Sequence, residues 1–236
     1  MKKPTIVAGL ENSGKTTFIC SLLAEAKNRG RNGAAFKPFE YGLMRRNAAD
    51  ILGDGELFCQ NMQGEPMETL VSPYCAHEDY PLEMSFRRDG ININEGVIAK
   101  RLAILDDLYD FTLVEVPGSL FMPISENKYV IDWIQEMGGQ VIWLIHPVKE
   151  RFCHNLSELN HLKSLNINYS AIFNNASQIT NQDLLFYIWE KTEKFLNRQV
   201  EGMIPFVKIT DNGFGALGKK VEEAVPKVFS SLVGVE

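Results

Sequence analysis

The chain has 236 residues, with 24 Lys and Arg against 30 Asp and Glu, so its formal net charge is −6. A 45% hydrophobic and 23% charged composition is too apolar for a disordered chain and sufficient for one large core without a metal or disulfide staple. The acidic balance excludes a protein that grips duplex DNA or a membrane surface through a broad basic footprint, so neither nucleic acid nor membrane is expected as a partner. The strongest apolar run, Val141–Ile145, is far shorter than the roughly 18 residues needed to span a bilayer. Lys2 and Lys3 precede an apolar stretch that ends at Glu11 with no small-residue cleavage site. Cys20, Cys59, Cys75 and Cys153 are widely separated and form no C-x-x-C pair, which suits structural thiols in the cytoplasm.

In chain order, short apolar runs alternate with longer amphipathic stretches. Thr5–Ala8 reads as a buried strand, Lys15–Arg29 as a helix with Gly33 as its stop signal, and Ala34–Phe36 as a second strand. The segment from Asp54 to Ile91 is irregular, with Pro66, Pro73, Pro81 and Gly90, and is expected to hang over the ligand-binding edge. Helix Asn94–Asp107, strand Phe111–Val116, helix Tyr129–Glu136 and strand Val141–Ile145 follow. Helix Val148–Leu165, strand Asn168–Phe173 and helix Asn181–Leu196 complete the pattern. Continuous apolar strands separated by helices predict a single α/β domain over residues 1–236, a doubly wound, mostly parallel sheet with helices on both faces.

The segment Gly9-Leu10-Glu11-Asn12-Ser13-Gly14-Lys15-Thr16 matches G-x-x-x-x-G-K-T between a strand and a helix, which predicts a P-loop NTPase fold. Glycines let backbone N–H groups converge on phosphate, the helix N-terminus adds positive charge, and Lys15 reaches the β- and γ-phosphates. Glu11, Asn12, Ser13 and Thr17 complete the expected phosphate cradle, and Thr16 offers its hydroxyl to Mg²⁺. The strand Phe111–Val116 carries Glu115 at its end, suited to the same Mg²⁺, with Gly118 beyond it for the γ-phosphate. The place of a guanine-reading Asn-Lys-x-Asp motif holds Asn174-Asn175-Ala176-Ser177, without the Lys or the Asp. ATP is therefore expected rather than GTP, with Asn175 on the adenine edge or, alternatively, only turning the chain. His77, His146, His154 and His161 show no metal-ligand spacing. Phe186, Trp189 and Phe195 form a near-helical stripe suited to core or dimer contact.

With Lys15, Thr16 and Glu115 placed, the chain resembles the dethiobiotin synthetase family over about residues 4–206. Further matching pieces are Phe36-Lys37-Pro38 after the second strand, Asp54-Gly-Glu-Leu-Phe opening a helix, Leu113 to Ile124 around the acidic strand end, Asn175, and Gly202-Met203-Ile204-Pro205. The resemblance implies an ATP-dependent ligase that closes a cyclic urea from 7,8-diaminopelargonate and CO₂ through a phosphorylated carbamate, working as a homodimer. It implies Lys15 and Lys37 as catalytic cations, Thr16, Asp54 and Glu115 around Mg²⁺, and Pro205 beside the nucleotide. Asp50, one helical turn before Asp54, is an alternative carboxylate.

The sequence departs from the family pattern mainly on the acceptor side. Gly9-Leu10-Glu11 stands where Thr-Asp-Thr is usual, Val116-Pro117 and Ser119 replace small residues of a Gly-rich loop, and Tyr41 replaces a small residue. Tyr80-Pro81-Leu82 and Arg151–His154 stand where other motifs are expected. A related ligase with another diamine or a carboxylate substrate is the second reading. A nucleotide switch of the partitioning type is disfavoured by Leu10, where such proteins carry a Lys. A small-molecule kinase, with Arg45-Arg46 and Arg87-Arg88 as an anion clamp, leaves Lys37 and Glu115 unexplained.

Overall fold

The computed structural model describes residues 3–43, 52–64, 66–209 and 213–234. Asp50 and the pair Arg45-Arg46 lie outside the described residues. Ten strands are described: β1 (Thr5–Ala8), β2 (Gly33–Phe36), β3 (Phe39–Glu40), β4 (Tyr74–Cys75), β5 (Phe111–Glu115), β6 (Pro123–Ser125), β7 (Lys128–Tyr129), β8 (Gln140–Ile145), β9 (Tyr169–Asn174) and β10 (Met203–Ile204). Six form one sheet in the order β10-β9-β8-β1-β5-β2, every pairing parallel. The short pairs β3–β4 and β6–β7 lie outside it. Strand β1 is central and the chain winds outward on both sides of it, the doubly wound P-loop arrangement.

Parallel strands covered on both faces need apolar residues at nearly every position. Accordingly Val141, Ile142, Trp143 and Leu144 of β8 and Ile6, Val7 and Ala8 of β1 are all wholly buried. The Trp143 indole N–H stays satisfied in this core by donating to Asn155 Oδ1 at 3.0 Å.

The major helices are α1 (Lys15–Asn28), α5 (Glu95–Leu108), α6 (Val130–Met137), α7 (Lys149–Ser164) and α8 (Gln182–Leu196). Each lies within a residue of its sequence-predicted bounds. The α1 stop differs. Gly30, at φ 71°, terminates the helix, with Arg31 N–H donating to Ala26 O and Gly30 N–H to Lys27 O, a Schellman closure. Gly33 instead opens β2, where a side chain would collide with the Phe111 ring and Leu23.

The segment read as irregular holds three short helices, α2 (Asp54–Asn61), α3 (Glu68–Val71) and α4 (Leu82–Arg88), besides β4. Two further helices close the chain, α9 (Gly215–Ala224), which packs on α1, and α10 (Pro226–Val233). Among the described residues no helix is long and apolar enough to cross a membrane.

Candidate active site

Parallel register brings the charged residues together. Val7 pairs with Glu115 across β1 and β5, so Glu115 stands beside the residues that lead into the loop at Gly9. Phe36 pairs with Val114 across β2 and β5, which puts Lys37, the next residue, at the same strand ends. In an open parallel sheet these carboxyl ends flank the ligand crevice. The loop itself needs its glycines. Gly14 has φ 83°, the left-handed region, and caps α1. Gly9 has φ 148°, and a Cβ there would lie 2.5 Å from Leu144 O.

Lys15 Nζ donates to Gly9 O at 3.0 Å and to Leu10 O at 3.2 Å. Thr16 Oγ1 donates to Glu115, 3.0 Å from Oε2 and 3.3 Å from Oε1. Lys37 Nζ is 2.7 Å from Glu115 Oε1 and also bridges to Asp54 Oδ2 at the start of α2. Lys15, Lys37, Asp54 and Glu115 are all buried. Burial lowers the Lys15 pKa from 10.5 to about 8, with Glu115 partly opposing it. Burial also pulls on Lys37, but Glu115, Asp54 and Glu40 together outweigh it and raise its pKa. The two lysines therefore differ: Lys37 is held as a cation by its carboxylate partners, while burial makes Lys15 easier to deprotonate.

These groups line a cleft of about 760 Å³, shared by Glu11, Asn12, Gly14, Thr17, Tyr41 and Gly118. Gly118, Tyr41 and Pro117 all line the cleft, and the Glu11 side chain lies against Gly118, its Cγ 3.3 Å from where a Cβ would stand. The opposite side of the loop faces a second hollow bordered by Asn12, His146, Arg151, Ala176 and Ser177. Asn174 Nδ2 donates to Ser13 O at 2.8 Å and so braces the loop from β9. His146 is buried, which lowers its pKa, and its Nδ1 lies 3.2 Å from Asn174 O while Nε2 lies 2.8 Å from Ser177 Oγ. A donating Nδ1 and an accepting Nε2 fit the neutral ring.

The donor set suits the ligands a P-loop implies. The first N–H groups of α1 have no intrahelical partner, its first turn carries no acid, and the buried Ser13 Oγ has no hydrogen-bond partner among the described residues. Among the described residues no cluster of three or more His, Cys, Asp or Glu could hold a metal alone. One hydroxyl and two carboxylates suit a hydrated Mg²⁺ that takes its remaining oxygens from substrate phosphates.

A family model described as an AAA domain (AAA_26) matches residues 5–212. The chain belongs to the dethiobiotin synthetase-type P-loop family. Within this family it is 24% identical over 192 residues to an ATP-dependent dethiobiotin synthetase of Thermodesulfovibrio yellowstonii, covering 78% of this chain and 80% of the relative. It is 26% identical over 209 residues to that of Methanocaldococcus jannaschii, covering 84% and 92%. A solved structure, the MinC:MinD cell division complex of Aquifex aeolicus, matches with TM-score 0.55 at 16% identity, covering 99% of this chain and 97% of that one. That likeness shows the P-loop NTPase fold alone.

The family's ATP dependence fits the loop, and the departures from the family pattern acquire structural roles. Tyr41 Oη donates to Glu11 Oε1 at 2.8 Å, joining two altered positions across the cleft wall. Ser119 Oγ donates to Glu158 Oε1 at 2.5 Å and Leu120 N–H to Oε2 at 3.1 Å. The loop after Glu115 is thereby pinned to α7, and burial raises the Glu158 pKa. Arg151 reaches back to the Glu11 carbonyl. Asn175 engages both ends of its amide with Ile179, accepting from N–H at 2.8 Å and donating to O at 3.0 Å. Its own N–H donates to Ile204 O, so Asn175 and the exposed Pro205 sit together at the β9–β10 edge.

Away from the cleft, Arg87 and Arg88 pair with Glu83 and Glu78 on the surface. Trp189 stacks on Phe173 with ring centroids 5.2 Å apart, while Phe186 and Phe195 are exposed. The four cysteines are free thiols. Sequence reasoning missed Glu40 and Glu158, because each acts through contacts distant in sequence and sits in no motif, and it read Asn174 at the base-reading position without its role as a loop brace.

Proposed function

We propose that this chain is an ATP- and Mg²⁺-dependent dethiobiotin synthetase that closes a cyclic urea from 7,8-diaminopelargonate and CO₂. The observation that carries the reading is the convergence of Lys15, Thr16, Lys37, Asp54 and Glu115 from α1, the end of β2, α2 and the end of β5. One amine of the diamine takes up CO₂ as a carbamate. A carbamate oxygen then attacks the γ-phosphorus and ADP leaves. The second amine attacks the carbamoyl carbon, phosphate leaves and the ring closes. Two anions must meet in the first chemical step, so fixed cations aimed at that point lower its barrier.

Lys37, kept charged by its carboxylate partners, lies where it can neutralise the carbamate, while Lys15 and the N–H groups of Gly14 to Thr17 hold the phosphates. Glu11, Asn12 and Ser13 shape the rest of the cradle, and Gly118 brings backbone close to the γ-phosphate. Thr16, Asp54 and Glu115 would hold Mg²⁺, which supplies charge neutralisation on the transferring phosphoryl group. Asn175 and Pro205 border the nucleotide from the β9–β10 edge. We place the enzyme in the cytoplasm as a homodimer acting on small molecules.

The Tyr41–Glu11 link and Pro117 favour a second reading, a ligase of this family that takes a different diamine or a carboxylate. Phosphate release with ATP, Mg²⁺ and bicarbonate, measured with and without 7,8-diaminopelargonate, separates the two. Diamine-dependent release with dethiobiotin as product is expected. Release that ignores the diamine would move the assignment to the second reading.

A further inference from the structure

Helix α2 starts at Asp54 behind Gly53, which has no side chain with which to cap it. The first N–H groups of any helix lack intrahelical partners. Here another strand supplies them. Glu40, at the end of β3, accepts from Asp54 N–H through Oε1 at 2.6 Å and from Gly55 N–H through Oε2 at 3.1 Å. Ser72 Oγ lies 3.4 Å from the same Oε2 and donates to Lys37 O at 2.8 Å.

Glu40 is 1% exposed, and a buried carboxylate is tolerated only where hydrogen bonds replace water. Asp54 is therefore fixed twice, its N–H on Glu40 and its carboxylate on Lys37. Gly55 packs closely against Ser72 at the end of α3, where a Cβ on Gly55 would lie 2.7 Å from Ser72 Cβ.

We propose that Glu40 is a positioning residue, a helix cap supplied from a separate strand that aims the Asp54 carboxylate at Lys37 and at the Mg²⁺ Asp54 would share with Thr16 and Glu115. This rests on the metal role given to Asp54 above. Supporting groups around metal ligands typically change metal affinity by about 10–100-fold when lost.

The test is ATP binding by calorimetry across a Mg²⁺ series, with thermal unfolding in parallel, on the full chain. Glu40→Gln should raise the Mg²⁺ midpoint about tenfold while leaving metal-free ATP binding unchanged. Asp54→Asn should raise the midpoint similarly, and the Glu40→Gln/Asp54→Asn pair should be no worse than Asp54→Asn alone. Gly53 already has the extended conformation of a capping residue, with φ −61° and ψ 154°. Adding Gly53→Ser to Glu40→Gln should therefore recover at least about threefold in midpoint by restoring a local cap.

An unchanged midpoint in Glu40→Gln, or effects that multiply in the double variant, would overturn the proposal, since a purely structural role lowers only the unfolding temperature. If Glu40→Gln does not fold, Glu40→Asp, which withdraws the oxygens by one methylene, is read the same way. A parent chain whose ATP binding ignores Mg²⁺ would overturn the metal role of Asp54, and this inference with it.

Discussion

Lys15 is a buried amine whose pKa has fallen to about 8, so its charge is partly lost at mildly alkaline pH. At pH 8.5 about three quarters of the unliganded protein carries a neutral Lys15, against about one quarter at pH 7.5. A triphosphate demands the ammonium, so binding must draw a proton from buffer, about 0.75 per ATP at pH 8.5 and about 0.25 at pH 7.5. Apparent affinity should fall about threefold between those two values. Calorimetric titration of ATP in buffers of low and high ionisation enthalpy gives the proton count directly. Lys15→Arg keeps a charge that cannot titrate and should abolish the uptake. Near-zero uptake at pH 8.5, or the same uptake in Lys15→Arg, would refute the reasoning. The linkage has a matching stability term. The folded chain holds Lys15 less protonated than the unfolded chain between about pH 8 and 10.5, so this group's contribution to stability rises with pH across that window.

Three further outcomes follow from the same geometry. Lys37→Met keeps the apolar stem but leaves Asp54 and Glu115 facing each other, and urea unfolding at pH 7.5 should show a loss of about 3–5 kcal/mol. A loss below about 1 kcal/mol would mean that water reaches the pair. Gly14→Ala forces a side chain into the left-handed region and against the Asn174 amide; about 1–2 kcal/mol of stability and most ATP binding should be lost together. Asn174→Ala leaves the buried Ser13 carbonyl without its partner; nucleotide fluorescence titration should show weaker ATP binding, with a stability loss of about 1–3 kcal/mol.

The long elements were legible because periodicity over ten or more residues overrides local noise, as α5, α7 and α8 illustrate. The start of α2 was legible only through the resemblance, which has Asp54 opening a helix, while α3 and α4, with four and seven residues, give no repeating face. Gly33 was misread as a helix stop because glycine has two uses, a left-handed turn and a close approach; Gly30 serves the first and Gly33 the second. Lys15, Thr16 and Glu115 were visible because phosphate chemistry demands those residue types at fixed offsets from a strand. Lys37 and Asp54 were visible only through family resemblance. Glu40 was invisible: its partners lie 14 and 15 residues away, and nothing in its neighbourhood marks it as a cap.

Strand β5 lies between β1 and β2, although β1 and β2 are consecutive in the chain and joined by a single helix. Consecutive strands tend to lie side by side, and here the early pair must leave a gap that residues 111–115 fill much later. Thr16 and Glu115, which touch through that gap, are 99 positions apart. A chain growing from its N-terminus thus has the residues of its phosphate loop before it has their acidic counterpart, 99 positions after Thr16. Any state in which β1 and β2 zip together directly must reopen before β5 can enter. Insertion of β5 is then the step that joins β2 to β1 and first brings Glu115 beside Thr16 and Lys37.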